Sequence, residues 1–484
     1  MNALPTSRNS FPESPAAPGS PHVQLSETAT SLQSINTQEG ANVQELPPVD
    51  RGLKAWSFCA SAFILETMVW GFGFSYGIFQ DYYTSHPPFD SASGVAIAAV
   101  GTICLGIQYG EGIFLIFFLR RYPDFIRTSM WFGLALYFVS LFASSFATQV
   151  WQLILLQGVG VGIGGGILYS PVIKLLPEWF SERRGLAGGI IFSGTGVGGF
   201  AFPFLLNALL SEVGVRWTLR IWATGTAICS AIALLGMRSR FPVPKFKAGQ
   251  RRPKLIPSRL EFLHNPLFWT FVSDHFAPYF FVGVEVDSNT SLKVFTTLIQ
   301  GLSQFPVSLY IPTFTRSLSN QLTATIVLSL LNLSAVIGQI LIGHLTDRIP
   351  YPSIMVFSAV GSALGAFLLW GFANAAIYLY FFSIVFGGLA GGFSSTWTNA
   401  AVECAGHEFA SIAFSGITFA KGISAVIGPI VSGLLLEAGR SSSTSARFGR
   451  FGYGAVEIFV GSCALAAGVG SVAVALARQR VVRS

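Results

Sequence analysis

From Arg51 onward the chain is a succession of apolar stretches of about 20 residues, each long enough to cross a hydrocarbon core of about 30 Å as a helix. They fall at 55–79, 94–118, 128–146, 149–173, 185–210, 217–237, 294–314, 321–343, 352–373, 375–398, 410–436 and 452–477. In hydrocarbon every backbone N–H and C=O must find a partner inside the protein, so runs of this length predict helices. Twelve crossings use about 36 residues each, loop included, which leaves no room for a large soluble domain. Composition agrees. Only 11% of residues are charged, against about 25% in a soluble domain. The 44 Phe and 52 Gly leave too few polar side chains to cover a water-facing surface. A cytosolic enzyme, a disordered regulator and a fibrous protein are thereby excluded, and a multi-pass membrane protein is expected.

Residues 1–50 have a different character. They are rich in Ser, Pro, Gln and Glu, with Phe11 as their one aromatic, and predict a disordered cytosolic tail with no cleaved signal peptide. The net charge of +7 reads as loop charge that orients helices, not as a nucleic-acid surface. Arg120, Arg121 and Arg127 follow the second stretch, Arg183 and Arg184 the fourth, Arg348 the eighth, and Arg478, Arg480 and Arg483 the twelfth. All fall on one side if both termini are cytosolic. Arg216, Arg220, Arg440, Arg447 and Arg450 fall on the other, so the positive-inside rule is obeyed incompletely. The loop over 238–265 carries eight Lys or Arg and reads as a solvated linker near anionic headgroups, joining a bundle over 51–237 to a second over 266–477, with 478–484 as a cytosolic end. A weak echo relates the halves: Gly164-Gly165-Gly166 then Phe192-Ser193-Gly194 in the first, Gly391-Gly392 then Phe414-Ser415-Gly416 in the second. Paired halves around a central site are how many secondary transporters are built. Cys59, Cys104, Cys229, Cys404 and Cys463 are scattered and read as small buried hydrophobes, with no metal site and no disulfide framework.

Ionisable residues at bilayer depth are costly and mark function by default. Glu66 lies about 16 Å into the first stretch and Lys421 about 17 Å into the eleventh, from the same side, so the two share the midplane. Glu111 lies about 10 Å from that side in the second stretch. The expectation is that Lys421 attracts an anionic substrate while Glu66 or Glu111 serves as counter-ion or proton acceptor. The alternative is a static ion pair fixing the two bundles. The run Gly194–Gly199 matches G-x-G-x-x-G, but no strand precedes it, so close helix packing is expected and no dinucleotide. The glycines at 158–166 are read in the same way, as smooth faces on which the fourth and fifth helices slide. No HExxH, paired catalytic Asp or His cluster occurs in the helices, so an enzyme is not expected.

Two segments carry a family resemblance. One is Asp50-Arg51-Gly52 with Ala55-Trp56, Trp70-Gly71 and Tyr76-Gly77-Ile78-Phe79-Gln80. The other runs from Trp179-Phe180-Ser181-Glu182-Arg183-Arg184-Gly185 to Gly198-Gly199. Together they resemble the signature regions of the monocarboxylate-porter family, in its fungal form, within the major facilitator superfamily. Gly343-His344-Leu345-Thr346-Asp347-Arg348 is similar to that superfamily's loop motif between helices eight and nine. The resemblance implies an all-α fold of twelve transmembrane helices in two six-helix bundles, alternating access, and small organic anions or related metabolites as substrates; a proton is the candidate coupling ion. It implies no cofactor, a monomer in the lipid bilayer and a plasma-membrane location. It places Trp70, Tyr76, Tyr169, Trp397 and Asn399 on cavity-lining helices, and Arg183, Arg184, Asp347 and Arg348 at a cytosolic gate.

The match departs from the family in two places. Better-known proton-coupled members carry a Lys late in the first helix and an Asp and Arg in the eighth, where this chain has Gln80, Ala335 and Gln339. Export of a secondary metabolite is therefore the competing reading, and a nutrient sensor on a transporter scaffold a further one. Residues 273–296 interrupt the family pattern and read as a retained intron.

Overall fold

The computed structural model describes residues 46–242, 252, 295–441 and 448–483. The expected tail over 1–45, nearly all of the basic linker and residues 273–294 of the anomalous insertion lie outside the described residues. The last two residues of that insertion, Phe295 and Thr296, open a transmembrane helix, and Thr296 is fully buried.

The apolar stretches form helices as their length requires. In the first half α1 spans Gly52–Ser85 and α2 consists of two pieces, Gly94–Gly110 and Gly112–Arg121, that meet at Glu111. They are followed by α3 (Pro123–Phe146) and α4 (Val150–Trp179). A continuous helical run, Arg184–Gly236, is broken at Gly214, whose φ of 71° only glycine adopts without strain, and so divides into α5 (184–213) and α6 (215–236). In the second half come α7 (Phe295–Leu318), α8 (Gln321–Thr346), α9 (Tyr351–Trp370), α10 (Ala376–Glu403), α11 (Phe409–Gly439) and α12 (Gly454–Arg483). Gly406, φ 68°, makes the break between α10 and α11. Ten of the continuous helical runs are long and apolar enough to cross a membrane. Counting 184–236 as two and adding α7 gives twelve crossings among the described residues. Side chains start some of these helices where the chain enters them: Ser93 Oγ accepts from Ala96 N at 3.2 Å and Asn320 Oδ1 from Thr323 N at 2.8 Å.

The halves meet along two seams. In one, α5 lies against α8 so closely that a Cβ at Gly185 or Gly189 would run into the backbone carbonyls of Gly343 and Gln339. Further along, Asn332 Nδ2 donates to Gly199 O at 3.1 Å. In the other, α2 packs on α11, with Gly422 against the Cβ of Tyr109 and Gly106 facing Val426. The glycines of α4 face α2 and α3 instead: Gly162 meets Ile107, and Gly164 meets Gly133 and Tyr137. The sequence reading of these rows as surfaces on which α4 and α5 slide is thus revised. The glycines meet specific opposing atoms, so the rows fix register: in α5, Gly194 and Gly198 face α1 of the same half, while Gly185, Gly189, Gly196 and Gly199 face α8 of the other.

Candidate functional site

Of the three charged side chains expected at bilayer depth, Lys421 and Glu66 are buried and Glu111 is half-buried. Lys421 lies about 18 Å into α11 from its first residue, and Glu66 about 21 Å into α1. Lys421 is 2% exposed and Glu66 5%. They do not pair. Lys421 Nζ donates to Gln300 Oε1 and, at 2.7 Å, to Gln304 Oε1, both on α7. It also lies 5.3 Å from the Phe305 ring centroid and 5.6 Å from that of Trp397, so two aromatic faces flank the ammonium. The static ion pair between bundles is absent among the described residues.

Glu66 faces its own half. Its Oε1 accepts from Thr195 Oγ1 of α5 at 2.5 Å, while Oε2 has no hydrogen-bond partner. The Tyr169 hydroxyl of α4 lies beside this carboxylate, outside good hydrogen-bond geometry. Trp70, one turn after Glu66, packs on Tyr109 at 4.4 Å and edge-on to Tyr169 at 5.8 Å, with its indole N–H unmatched. Glu111 sits at the break in α2 against Gly166, where any side chain would collide with its carboxylate, and its Oε1 has no partner. Gln108 is buried with neither amide atom bonded. Buried polar atoms in native proteins are rarely left so, and these lie near one another on α1, α2 and α4.

An aromatic path joins the two clusters. Tyr109 meets Phe305 at 6.1 Å, Phe74 stacks on Phe305 at 6.2 Å, and Phe305 lies under Lys421. Trp397 meets Phe414 at 6.1 Å, and Phe414 stacks across the halves on Phe192 at 5.7 Å. These rings separate Lys421 from the end of the bundle that carries Arg120, Arg183 and Arg348, the basic end. A cleft of about 250 Å³, open mouth included, lies there, lined among others by Leu176, Pro177, Arg184, Thr398, Ala401 and Phe414.

Two aspartates close the basic end by binding the same helix. Asp50 accepts from Ser181 N, Glu182 N and Arg183 N at 2.9–3.0 Å. Asp347, from the other half, accepts from Gly185 N at 2.7 Å and Leu186 N at 2.8 Å. These partners are backbone amides at a helix N-terminus, where the helix dipole favours an anion, and the Arg184 guanidinium also acts on the carboxylate. Burial holds the Asp347 carboxyl above the usual range against the opposite pull of these hydrogen bonds. Arg184 is buried near both aspartates, whereas Arg183 and Arg348 are exposed.

The remaining sequence candidates go elsewhere. Asn399 Nδ2 donates to Thr346 O at 3.1 Å and contacts Asp347, so it belongs to the basic end. Tyr76 donates to Ile97 O at 2.8 Å inside the first bundle, packed with Phe72 and Phe79. Sequence reasoning missed Gln300, Gln304, Phe305, Tyr109 and Thr195 as site members, and it took Asp50 for the end of the tail, although Asp50 is 6% exposed. The signal that could have found the glutamines was two amides four apart, and so on one helix face, at bilayer depth.

Residues 58–286 and 294–482 match the Major Facilitator Superfamily, and the chain belongs to that superfamily of membrane transporters. Among its relatives is the uncharacterized transporter ESBP6 of Saccharomyces cerevisiae, 28% identical over 75% of this chain. The chain spans about half of that protein, 51% of its length. Another is the aspyridones efflux protein apdF of Emericella nidulans, 26% identical over 81% of this chain and 74% of its own. Among solved structures, the proton:xylose symporter XylE shares the fold, with a TM-score of 0.55 over 86% of this chain and 94% of that one, at 14% identity.

Proposed function

We propose that this transporter moves a small organic acid across the membrane by alternating access, with the acid recognised at Lys421 and a proton carried at Glu66. The observation that carries the reading is the ammonium itself. A buried cation is stable when paired, yet among the described residues every ligand of Lys421 is neutral: two carboxamide oxygens and two aromatic faces. An acidic substrate supplies the missing counter-charge. Glu66, buried with one oxygen bare, is poised to take a proton when the site is closed and to lose it when water reaches it. The resemblance to monocarboxylate porters supports the substrate class. The loss of the family's three usual charges and the efflux role named for the Emericella relative favour export over uptake of a simple monocarboxylate.

In this reading both termini are cytosolic, the protein acts as a monomer in the plasma membrane, and the basic end is the cytosolic gate, shut by Asp347 on α5. The test is efflux and uptake by the purified protein in proteoliposomes, with a panel of organic acids, with and without a pH gradient. Transport of acids that is lost in Lys421→Ala supports the reading. Transport of neutral analogues at equal rates, untouched by that substitution, overturns it.

A further inference from the structure

The two ligands of Lys421 are not equivalent. Gln300 is anchored at both ends of its amide: the oxygen accepts from Lys421 and the nitrogen donates to the carbonyl of Ala390 on α10 at 3.0 Å. It also reaches Gln304 Oε1 at 3.3 Å. Gln304 is held through its oxygen alone. That oxygen accepts from Lys421 and Gln300, while its NH₂ group has no protein acceptor among the described residues, and the side chain is only half buried. The assignment of oxygen and nitrogen follows from chemistry, since an ammonium carries only donors and both amides must turn an oxygen to it. The backbone beneath is fixed. Ser424 Oγ donates to Leu298 O at 2.6 Å and Tyr310 Oη to Pro429 O at 2.9 Å, so α7 and α11 are clamped on both sides of the pair.

Resting on the organic-acid reading above, we propose that Gln304 is the displaceable ligand of Lys421 and that the two side chains together read an acid group with two adjacent oxygens, a carboxylate or an enolised 1,3-dicarbonyl. One substrate oxygen takes the place of the Gln304 oxygen on the ammonium. The carboxamide then turns about its terminal torsion, which has a broad and shallow profile, and offers its free NH₂ to the second oxygen. Gln300 stays in place and keeps Lys421 aimed. The conjugated body of the acid lies against Phe305, the next residue of α7, whose ring already meets Tyr109 and Phe74. A ligand with one oxygen, such as a phenol, engages Lys421 and leaves the Gln304 amide unused. Gln304 is in this sense a specificity-determining residue, and its amide oxygen stands in for the substrate between transport cycles.

The probes are naphthoate and naphthol, which share a ring system and differ in the second oxygen. Binding to the full-length purified protein is followed by ligand-dependent thermal stabilisation. The wild type should prefer naphthoate. Gln304→Leu should weaken naphthoate relative to naphthol by about tenfold, the loss of one hydrogen bond to a charged group, with naphthol itself bound no more weakly than by the wild type. Gln300→Leu should weaken both, because it loosens Lys421. Gln304→Glu places a carboxylate on the ammonium and should abolish naphthoate binding at neutral pH, with recovery as acid protonates the new side chain. Retained naphthol binding shows that Gln304→Leu is folded, and the ligand-free melting temperature does so for the other variants. Naphthoate affinity unchanged in Gln304→Leu but lost in Lys421→Ala overturns the exchange and spares the organic-acid reading. Failure of naphthoate to bind the wild type overturns both.

Discussion

The two halves of this transporter handle buried charge in opposite ways. The first concentrates acids: Glu66 and Glu111 lie on α1 and α2 with bare oxygens, beside the unmatched Gln108 amide, Trp70 indole and Tyr169 hydroxyl. The second holds a cation at that depth, Lys421, and satisfies it internally with Gln300 and Gln304, while its buried acid, Glu457, lies away from it in the first turn of α12. Neither half has a charge partner for its own site, and the two sites do not pair with each other. A salt bridge between them would have tied the bundles together at the midplane, where a rocking transporter must come apart. Keeping the charges separate leaves the bundles joined there mainly by rings and glycines, contacts that part without leaving an ion uncompensated.

This contrast can be broken most sharply on the basic side of it. Lys421→Ala should reduce acid transport in proteoliposomes by roughly a hundredfold, from about 2–3 kcal/mol of lost charge-assisted hydrogen bonding. Retained transport would mean that the second half needs no cation. Glu66→Gln should leave acid exchange intact but remove the response to a proton gradient. For one coupled proton that response is worth about tenfold per pH unit, and equal accumulation with and without the gradient is the expected reading. Gly189→Ala tests the seam, since its Cβ would meet the Gln339 carbonyl of the other half. Turnover should fall about threefold to tenfold, by roughly 1 kcal/mol of misfit at closure, with folding of the separate halves unaffected. Smallest of all, Asp347→Asn should raise labelling of a single cysteine placed at Ala401 by about twofold to fivefold, as the closed basic end loses up to about 1 kcal/mol.

How much of this was legible in the sequence follows from the scale of each signal. The twelve crossings were, because a run of about 20 apolar residues admits few other readings, and the breaks at Gly214 and Gly406 fell where the apolar stretches were interrupted. Lys421, Glu66 and Glu111 stood out because a charge in an apolar run is rare. Gln300 and Gln304 did not, since a neutral amide in a membrane helix is cheap to keep and common. The direction of each glycine was also hidden: whether Gly165 faces Gln108 or Gly189 faces Gln339 depends on how helices far apart in sequence meet. Tyr76 and Asn399 sat on suitable helices but on other faces or at another depth, which spacing alone does not reveal.

The paired aspartates at α5 have a kinetic consequence. In the proposed cycle Asp50 travels with its own bundle and keeps its three amides, since donors and acceptor belong to the same half. Asp347 departs when the bundles separate, and the N–H groups of Gly185 and Leu186 pass to water. Only the second exchange separates the two states, and one helix-end carboxylate shifts a population by about 0.3–1 kcal/mol. The closed basic end is then a latch biased a few-fold, weak enough to be undone by a bound ligand's preference for the other state and strong enough to reset once that ligand leaves.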